Sequence, residues 1–362
     1  MDIAPLRGAA FIPMPEGRGL SPRFGKVDIM TFTVLVTDYT WPSLAIERDV
    51  LRAVGAELLV AQHGDEAELI QLAPQCDAIL TNWKQVTAPV LDAARHCLIV
   101  SRYGIGVDNI AVDHATQLGI PVTNVPDFCL DEASEHTMAL LLACARQVVT
   151  YATATRNGVW QVNTGHPVPR LRGQTLGVIG YGNIARALIP KALGFGLKVL
   201  VYTPRLVAGA LAAFGPDCTA TNDLTVLLST SDYISIHVPL THETRGMIDS
   251  KALRLLKPTA YLINTSRGAI IDETALSTAL TEGWFAGAAL DVLIQEPPPP
   301  DHPLLARENV TVTPHVAFYS EVAVASVRQK AAEHVAQVLR KEVPTHILNE
   351  QVMQQSNYRL RG

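Results

Sequence analysis

Short apolar runs alternate with helical segments over the first third of the chain. Runs rich in apolar and β-branched residues predict five buried strands, at residues 32–36, 57–60, 76–81, 98–101 and 121–124. Helical spacing of apolar residues predicts four helices between them, at residues 43–54, 66–72, 88–94 and 111–118. Strands and helices that alternate with short links are typical of a parallel sheet covered on both faces. This part of the chain is therefore predicted to form an α/β domain.

A second α/β region follows one long apolar segment. Residues 131–156 are rich in Ala and Leu with a 3.6-residue period, and Asp131 and Glu132 favour a helix start. We therefore predict one continuous helix that crosses into a second domain. Apolar runs then predict strands at residues 175–179, 198–202, 233–236, 260–264, 286–290 and 310–312, in a six- or seven-stranded doubly wound sheet. Residues 321–340 predict a helix that returns to the first domain.

These elements divide the chain into three parts. Residues 1–30 are rich in Pro, Gly and Arg without a sustained period, so we expect a poorly ordered extension, with Met30 as an alternative start. The first domain is expected to comprise residues 31–127 and 322–350. The second domain is expected to comprise residues 128–321.

Composition narrows the class of protein. The chain has 362 residues, of which 48% are hydrophobic, and this is ample for the cores of two domains. Its net charge of −5 argues against a broad nucleic-acid surface. No apolar run reaches the roughly 18 residues that a membrane span needs, and no secretion signal is evident. The five cysteines are scattered and never spaced as CxxC. They predict reduced thiols in a cytoplasmic protein, with neither disulfides nor a metal site.

A glycine-rich string lies between the first two strands of the second domain. The string GYGNIA at residues 180–185 follows a strand and opens a helix, in a strand–helix–strand unit of about thirty residues. Gly180 permits a tight turn, and Gly182 lets a pyrophosphate approach the N–H groups at the helix N-terminus. Ala185 has a small side chain, which lets the helix pack closely on the strand at this position. The combination predicts a dinucleotide site; a structural turn in another α/β protein is the alternative.

The second strand of this unit ends without the acidic residue that usually holds the adenosine ribose hydroxyls. Thr203, Pro204 and Arg205 stand there instead. Without a carboxylate here, nothing at this position repels the 2′-phosphate of NADP. Arg205 either pairs with such a phosphate or is a solvated loop residue. The cofactor is therefore predicted to be NAD(P)(H), with NAD versus NADP undecided.

Three polar residues follow predicted strands of the second domain, where doubly wound sheets bind ligands: Arg267, Glu296 and His315. Characteristic strings occur in the order RYGIGVDNI at 102–110, GYGNIA at 180–185, HVPL at 237–240, NTSRG at 264–268 and TPH at 313–315. In these strings, over about residues 75–345, the chain resembles the D-isomer-specific 2-hydroxyacid dehydrogenase family. The FYSE string at 318–321 is more similar to the C-terminal-binding-protein branch than to the phosphoglycerate dehydrogenase branch. The resemblance implies a flavodoxin-like substrate domain and a Rossmann dinucleotide-binding domain.

The resemblance also implies roles for residues at the substrate. His315 donates a proton to the oxygen of a 2-oxo acid in reduction and accepts it in oxidation, which suits an imidazole. Glu296 hydrogen-bonds the other ring nitrogen and fixes its tautomer. Arg267 binds the substrate carboxylate and carbonyl oxygen through its guanidinium fork. The backbone N–H groups of Ile105 and Gly106 complete the carboxylate cradle.

Further positions are implied to contact the cofactor. They are Gly180, Gly182, Asn183, Ile184, Thr203, Arg205, His237, Val238, Pro239, Thr265 and Asp291. The amides of Asn183 and Ile184 are expected at the pyrophosphate, and His237 to Pro239 on the adenosine side. Thr265 and Asp291 are expected near the nicotinamide, where Asp291 accepts from the carboxamide. For His237, a packed core residue is the alternative.

The implied function is hydride transfer between NAD(P)(H) and a small 2-hydroxy or 2-oxo acid. A homodimer joined near the helix at 131–156 is expected, with no nucleic-acid or membrane partner. A dinucleotide-sensing scaffold or corepressor of the C-terminal-binding-protein type is the alternative. Glyoxylate, hydroxypyruvate, lactate and phosphoglycerate stay open as substrates. Trp83 and Lys84 are the best clue to specificity, and a phosphorylated substrate needs extra cations, for which Lys84 and Arg102 are the candidates.

Overall fold

The computed structural model describes residues 32–162, 167–204 and 209–361. The extension predicted at residues 1–30 and the predicted cofactor residue Arg205 lie outside these ranges. Within them, no single helix has both the length and the apolar composition of a membrane span. One bent pair of helices, over residues 130–156, meets that length and composition only when its halves are combined.

Two parallel sheets contain the strands of the described residues. These are β1 Phe32–Val36, β2 Ala56–Val60, β3 Ala78–Thr81, β4 Val100–Arg102, β5 Val122–Thr123, β6 Thr175–Ile179, β7 Lys198–Tyr202, β8 Cys218–Thr221, β9 Tyr233–Ile236, β10 Tyr261–Asn264, β11 Gly287–Leu290 and β12 Val310–Val312. The first sheet has the order β2-β1-β3-β4-β5 and the second the order β12-β11-β10-β9-β6-β7-β8. The first order is that of flavodoxin, and the second adds a seventh strand to the Rossmann order. The predicted fold class is confirmed.

Helices connect the strands and cover both sheets. They are α1 Ala45–Arg52, α2 Glu66–Leu72, α3 Ala88–Ala93, α4 Val112–Gln117, α5 Leu130–Ala145, α6 Val148–Arg156, α7 Asn183–Gly194, α8 Leu224–Thr230, α9 Ser250–Leu253, α10 Glu273–Thr281 and α11 Glu321–Leu339. Several begin at a polar residue that caps the free N–H groups of the first turn. Ser320 Oγ accepts from Ala323 N at 2.9 Å at the start of α11, and Asp272 Oδ1 accepts from Ala275 N at 3.0 Å at the start of α10.

The core of the first sheet includes a helix from the far end of the chain. Apolar side chains of β1 and β3 pack with Ala331 and Val335 of α11 in one buried cluster. Arg328 of α11 also pairs with the fully buried Glu47 of α1, with 2.8 Å between Nη2 and Oε2. The last helix therefore packs against the first sheet.

The segment after α11 covers the edge strand β5. Asn349 Oδ1 accepts from Val122 N at 2.8 Å, and its Nδ2 donates to Ile120 O at 3.1 Å. Farther along, Arg359 Nη1 donates to Cys97 O at 2.7 Å. Contacts with the first sheet thus continue past residue 350, where we expected the first domain to end. Sequence pattern does not reveal these hydrogen bonds, because they join side chains of the segment to backbone N–H and C=O groups that are far away along the chain.

The second sheet contains one strand that the apolar pattern did not indicate. β8 has the sequence Cys-Thr-Ala-Thr, and only Cys218 of its residues is buried. It pairs with β7 at the sheet edge, where Val199 lies opposite Cys218. An edge strand needs few apolar residues, because one of its sides has no neighbouring strand to cover it.

The prediction of one continuous helix at 131–156 is wrong. The structure has α5 and α6, bent by 63°, with Gln147 between them in the left-handed region at φ 51°. Gln147 N donates to Cys144 O, three residues back, and Tyr151 N donates to Gln147 O at 3.0 Å. The series of backbone hydrogen bonds from residue i to residue i−4 is therefore interrupted at Gln147 and begins again in α6. Periodicity cannot detect this, because the apolar spacing continues through the break.

Candidate active site

A cavity of about 160 Å³ lies where loops of the two sheets meet. Its walls from the first sheet come from the end of β4 and the loops after β3 and β4, and those from the second sheet come from the loops after β9, β10, β11 and β12. The lining side chains that carry charge or an aromatic ring are Trp83, Arg102, Asp108, Arg267, Glu296 and His315. The carboxyl ends of parallel strands meet at one edge of each sheet, which explains why residues far apart in sequence converge here.

His315 and Glu296 form a close pair in this cavity. His315 Nδ1 lies 2.6 Å from Glu296 Oε2, and Glu296 Oε1 accepts from Leu293 N at 2.9 Å. Burial raises the pKa of Glu296, but the hydrogen bond and charge of His315, the N–H of Leu293 and the charge of Arg267 together lower it below the ordinary value. The carboxylate therefore stays ionised, and it leaves Nε2 as the ring nitrogen that is free to face a substrate.

The buried carboxylate of Asp291 holds the loop that carries His315. Its oxygens accept from Val316 N at 2.9 Å, from Ala317 N at 2.8 Å and from Thr313 Oγ1 at 2.6 Å. His315 itself has φ 51°, and its N–H donates to Asp291 O at 2.8 Å. These bonds stabilise a backbone conformation that non-glycine residues rarely adopt. Asp291 thus supports the loop in addition to any role at the nicotinamide.

Arg267 is held on the opposite side of the cavity. Its Nη1 donates to Ser266 O at 2.8 Å and its Nε donates to Asp108 Oδ1 at 2.9 Å. A Cβ on Gly106 would collide with Arg267 Nη2, so this close approach requires glycine. Burial raises the pKa of Asp108, but the charge of Arg267 and its hydrogen bond lower it overall. Sequence reasoning missed Asp108, although it lies inside the RYGIGVDNI string.

Trp83 contacts the imidazole from the first sheet. Its ring lies 4.7 Å from the His315 ring, centroid to centroid, at 67°. The loop that carries it is held by Asp38, whose carboxylate accepts from the backbone N–H groups of Asn82, Trp83 and Lys84 at 2.8–3.3 Å. Lys84 is absent from the cavity lining of the described residues. Of the two residues expected to give specificity, only Trp83 therefore faces the site.

The glycine-rich turn after β6 forms a cradle for a phosphate group. Gly180 has φ 102°, and a Cβ there would lie 2.6 Å from His237 O. A Cβ on Gly182 would meet no atom of the described residues within 4 Å, so space is open in front of the turn. The helix α7 starts at Asn183 without a side-chain cap from the described residues. The N–H groups of its first turn are therefore available to an anion, which fits a dinucleotide pyrophosphate.

The other predicted cofactor positions lie along the same edge of the second sheet. His237 Nε2 is 2.7 Å from Ser235 Oγ, and burial lowers the pKa of His237 to about 4, so the ring is neutral. Thr265 Oγ1 is 3.0 Å from Thr137 Oγ1 of α5. Thr203 directly follows β7, with its N–H donating to Thr221 O at 3.4 Å. Contact of these residues, and of Val238 and Pro239, with a cofactor stays a prediction.

Ile105 and Ile184 connect the two candidate binding regions. Ile105, from the expected substrate loop, and Ile184, from the start of α7, pack in one apolar cluster with Cys129, Ala133 and Ala323. The proposed carboxylate cradle and the proposed pyrophosphate cradle are thus joined by a shared apolar contact.

Comparison with known proteins gives a consistent result. The model of the NAD-binding domain of the D-isomer specific 2-hydroxyacid dehydrogenases matches residues 138–317. A glyoxylate reductase of Korarchaeum cryptofilum is 40% identical over 290 residues, which are 79% of this chain and 86% of the relative. These relatives do not specifically support the C-terminal-binding-protein branch, which stays a prediction.

Solved structures show the same architecture. A D-lactate dehydrogenase from Aquifex aeolicus, complexed with NAD and lactic acid, superposes with a TM-score of 0.79 at 26% identity, covering 87% of this chain and 98% of that one. An NADPH-dependent glyoxylate/hydroxypyruvate reductase from Sinorhizobium meliloti, in complex with NADP and malonate, has a TM-score of 0.75 at 28% identity, covering 88% and 97%.

Proposed function

The chain belongs to the D-isomer specific 2-hydroxyacid dehydrogenase family, and from that premise we propose that it works as a reductase of small 2-oxo acids. Oxidoreduction between NAD(P) and a 2-hydroxy or 2-oxo acid is the activity of the family. The observation that carries the assignment of the site is the 2.6 Å contact between His315 and Glu296, opposite Arg267 in one small cavity. When bound, the nicotinamide supplies or accepts the hydride.

Arg267 and the loop at 104–106 bind the substrate carboxylate. The guanidinium is rigidly held by two hydrogen bonds and keeps Nη2 next to Gly106. The N–H groups of Ile105 and Gly106 add two neutral donors beside it. A carboxylate is bound well by such a planar fork and adjacent N–H groups. The oxo carbon is then oriented relative to His315, which favours proton transfer by proximity.

His315 moves the proton that hydride transfer requires. In reduction, the charge that develops on the oxo oxygen is neutralised by a proton donated from Nε2, and in oxidation Nε2 accepts it. Glu296 holds the ring through Nδ1 and stabilises the imidazolium while it is charged. The Trp83 ring shields one side of the imidazole from water.

A panel of 2-oxo acids tests the function. We expect purified protein to oxidise NADH or NADPH, followed by absorbance, with at least one of glyoxylate, hydroxypyruvate and pyruvate. The absence of turnover with every acid and both cofactors would refute the proposal. The ratio of kcat/KM for the two cofactors decides between NAD and NADP.

We also propose a cytoplasmic homodimer with no nucleic-acid or membrane partner. Apolar side chains are exposed along α6 and just after it, including Trp160 at 87% and Val162 at 82%. Val148 and Val149 add to this surface at the start of α6. Exposed apolar patches of this kind mark protein interfaces. A mass measurement at micromolar concentration is expected to give the dimer, and a monomer would contradict it.

A further inference from the structure

A second pair of a histidine and a glutamate contacts the loop that carries Glu296. His302 Nε2 lies 2.6 Å from Glu273 Oε1, and the two side chains are only 13% and 17% exposed. Leu304 N donates to His302 Nδ1 at 3.3 Å, so a neutral His302 carries its proton on Nε2, toward Glu273. Neither member of the pair belongs to the cavity lining in the described part of the chain. The chemistry proposed above therefore gives this pair no role.

Glu273 and Glu296 bind two successive backbone amides of one loop. Leu293 N donates to Glu296 Oε1 at 2.9 Å, and the next amide, Ile294 N, donates to Glu273 Oε2 at 3.2 Å. Residues 294–297 are exposed, so apolar packing contributes little to holding this part of the loop. Glu273 is the first residue of α10. Its carboxylate therefore attaches the loop of Glu296 to a helix.

The same stretch of backbone also packs on the loop that carries Arg267. A Cβ on Gly268 would collide with the backbone of Leu293 and Ile294, so these two residues lie directly against the glycine that follows Arg267. A displacement of residues 293 and 294 would therefore move the carboxylate of Glu296 and disturb the neighbouring guanidinium loop.

We infer that Glu273, held by His302, is a positioning residue that keeps Glu296 against His315 through the backbone N–H of Ile294. The inference rests on the proposed function and adds to it two residues that are expected to touch neither substrate nor cofactor. Without this attachment, Glu296 is expected to occupy positions away from His315 Nδ1. A displacement of about 1 Å near reacting groups lowers a rate by up to about 10²-fold.

The ionisation of Glu296 provides a signature of this role. Burial raises the pKa of Glu296, but His315, the N–H of Leu293 and the charge of Arg267 together lower it below the ordinary value. If the loop shifts, Glu296 loses part of its contact with His315 and with Leu293 N, and its pKa rises. The reaction needs the ionised carboxylate. The acidic limb of the plot of kcat/KM against pH is therefore expected to move to higher pH.

Variants of the pair test the inference with a 2-oxo acid that the wild type reduces. Glu273→Ala is expected to lower kcat about 10- to 100-fold, to move the acidic limb to higher pH and to leave cofactor affinity unchanged in a fluorescence titration. Glu273→Gln keeps an oxygen for Ile294 N and is expected to recover most of the rate. His302→Asn is expected to cause a smaller loss, with the limb moved in the same direction. The double variant Glu273→Ala/His302→Asn is expected to lose less than the product of the single losses, because both residues act through one contact.

Glu321→Ala is the matched control. Glu321 is the first residue of α11, as Glu273 is of α10, and it is exposed. The substitution removes the same favourable charge from a helix N-terminus and is expected to change neither kcat nor the acidic limb.

The outcomes separate this inference from the proposed function. If Glu273→Ala lowers Tm but keeps the acidic limb of the wild type, the pair is only structural and the inference is wrong, while the proposed function stands. Should Glu273→Ala not fold, an unshifted limb in His302→Asn overturns the inference equally. A wild-type protein that reduces none of the 2-oxo acids refutes the proposed function, and the inference with it.

Discussion

Arg267 Nε donates to Asp108 Oδ1 at 2.9 Å, and this ion pair joins the loop after β10 in the second sheet to the loop after β4 in the first. The side chains of Arg267 and Asp108 are 23% and 39% exposed. Water screens such a pair, so its contribution to folding is below about 1 kcal/mol. Its importance lies at the cavity, because the Asp108 carboxylate and the substrate carboxylate compete for one guanidinium.

Replacing Asp108 by Asn is therefore expected to lower KM for the 2-oxo acid. Removing about 1 kcal/mol of like-charge repulsion in a hydrated site corresponds to about fivefold. Steady-state kinetics measure the effect, and thermal unfolding is expected to show little change. A higher KM would contradict the prediction and would show that Asp108 chiefly holds Arg267 in place.

Replacing His315 by Ala is expected to reduce kcat by about 10²–10⁴-fold, because the proton donor is lost. Cofactor affinity, measured by fluorescence titration with NADH or NADPH, is expected to stay nearly unchanged. His96→Ala serves as the control, since His96 is exposed on the first domain. Normal kcat in His315→Ala would remove His315 from the mechanism.

Replacing Thr203 by Asp is expected to shift cofactor preference toward NAD. Thr203 stands directly after β7, where an acidic side chain holds ribose hydroxyls and repels a 2′-phosphate. The measurement is the ratio of kcat/KM with NADH to that with NADPH. Thr219→Asp introduces the same charge on an exposed position of β8 and is expected to leave the ratio unchanged. An equal ratio in wild type and Thr203→Asp would count against the prediction.

Replacing Glu47 by Ala is expected to destabilise the protein by about 3–5 kcal/mol, because it leaves Arg328 buried without its partner. Asp49→Ala, on the same helix, removes the exposed pair with Arg52 and is expected to cost less than about 1 kcal/mol. Denaturant unfolding compares the two. Similar losses for both variants would show that the buried pair contributes no more than a surface pair.

The neutral ring of His237 predicts a loss of stability in mild acid. Its pKa falls from 6.5 to about 4 in the folded protein because of burial, so between these values the unfolded chain binds a proton that the folded chain does not. Stability is thus fully present above pH 6.5 and declines as the pH falls toward 4, by up to about 3 kcal/mol. His237→Asn is expected to reduce the drop in Tm between pH 7.5 and 5, whereas His96→Asn is not. An equal drop in all three proteins would contradict this.

The strands of both cores could be predicted because their residues are locally marked. Runs such as 32–36 and 175–179 are apolar and β-branched, which is the pattern expected of parallel strands that are buried on both faces. The glycine turn at 180–182 was equally visible, since Gly180 has φ 102° and leaves no space for a Cβ beside His237 O. The break at Gln147 and the edge strand β8 were not visible, because neither interrupts or creates an apolar period.

By itself, the sequence determined which chemical groups are present and in what order. These are the glycine turn at 180–182 and, after successive strands, Arg267, Glu296 and His315. The alternation of strands and helices also specified two parallel sheets. Only the tertiary structure decided which groups meet. The contacts of Asp108 with Arg267, of Trp83 with His315 and of residues 349–359 with the β5 edge join positions that are at least 159 residues apart. The first two contacts follow from how two sheets align their carboxyl ends, and the third from the return of the last segment to the first sheet, and no local spacing of residues encodes either arrangement.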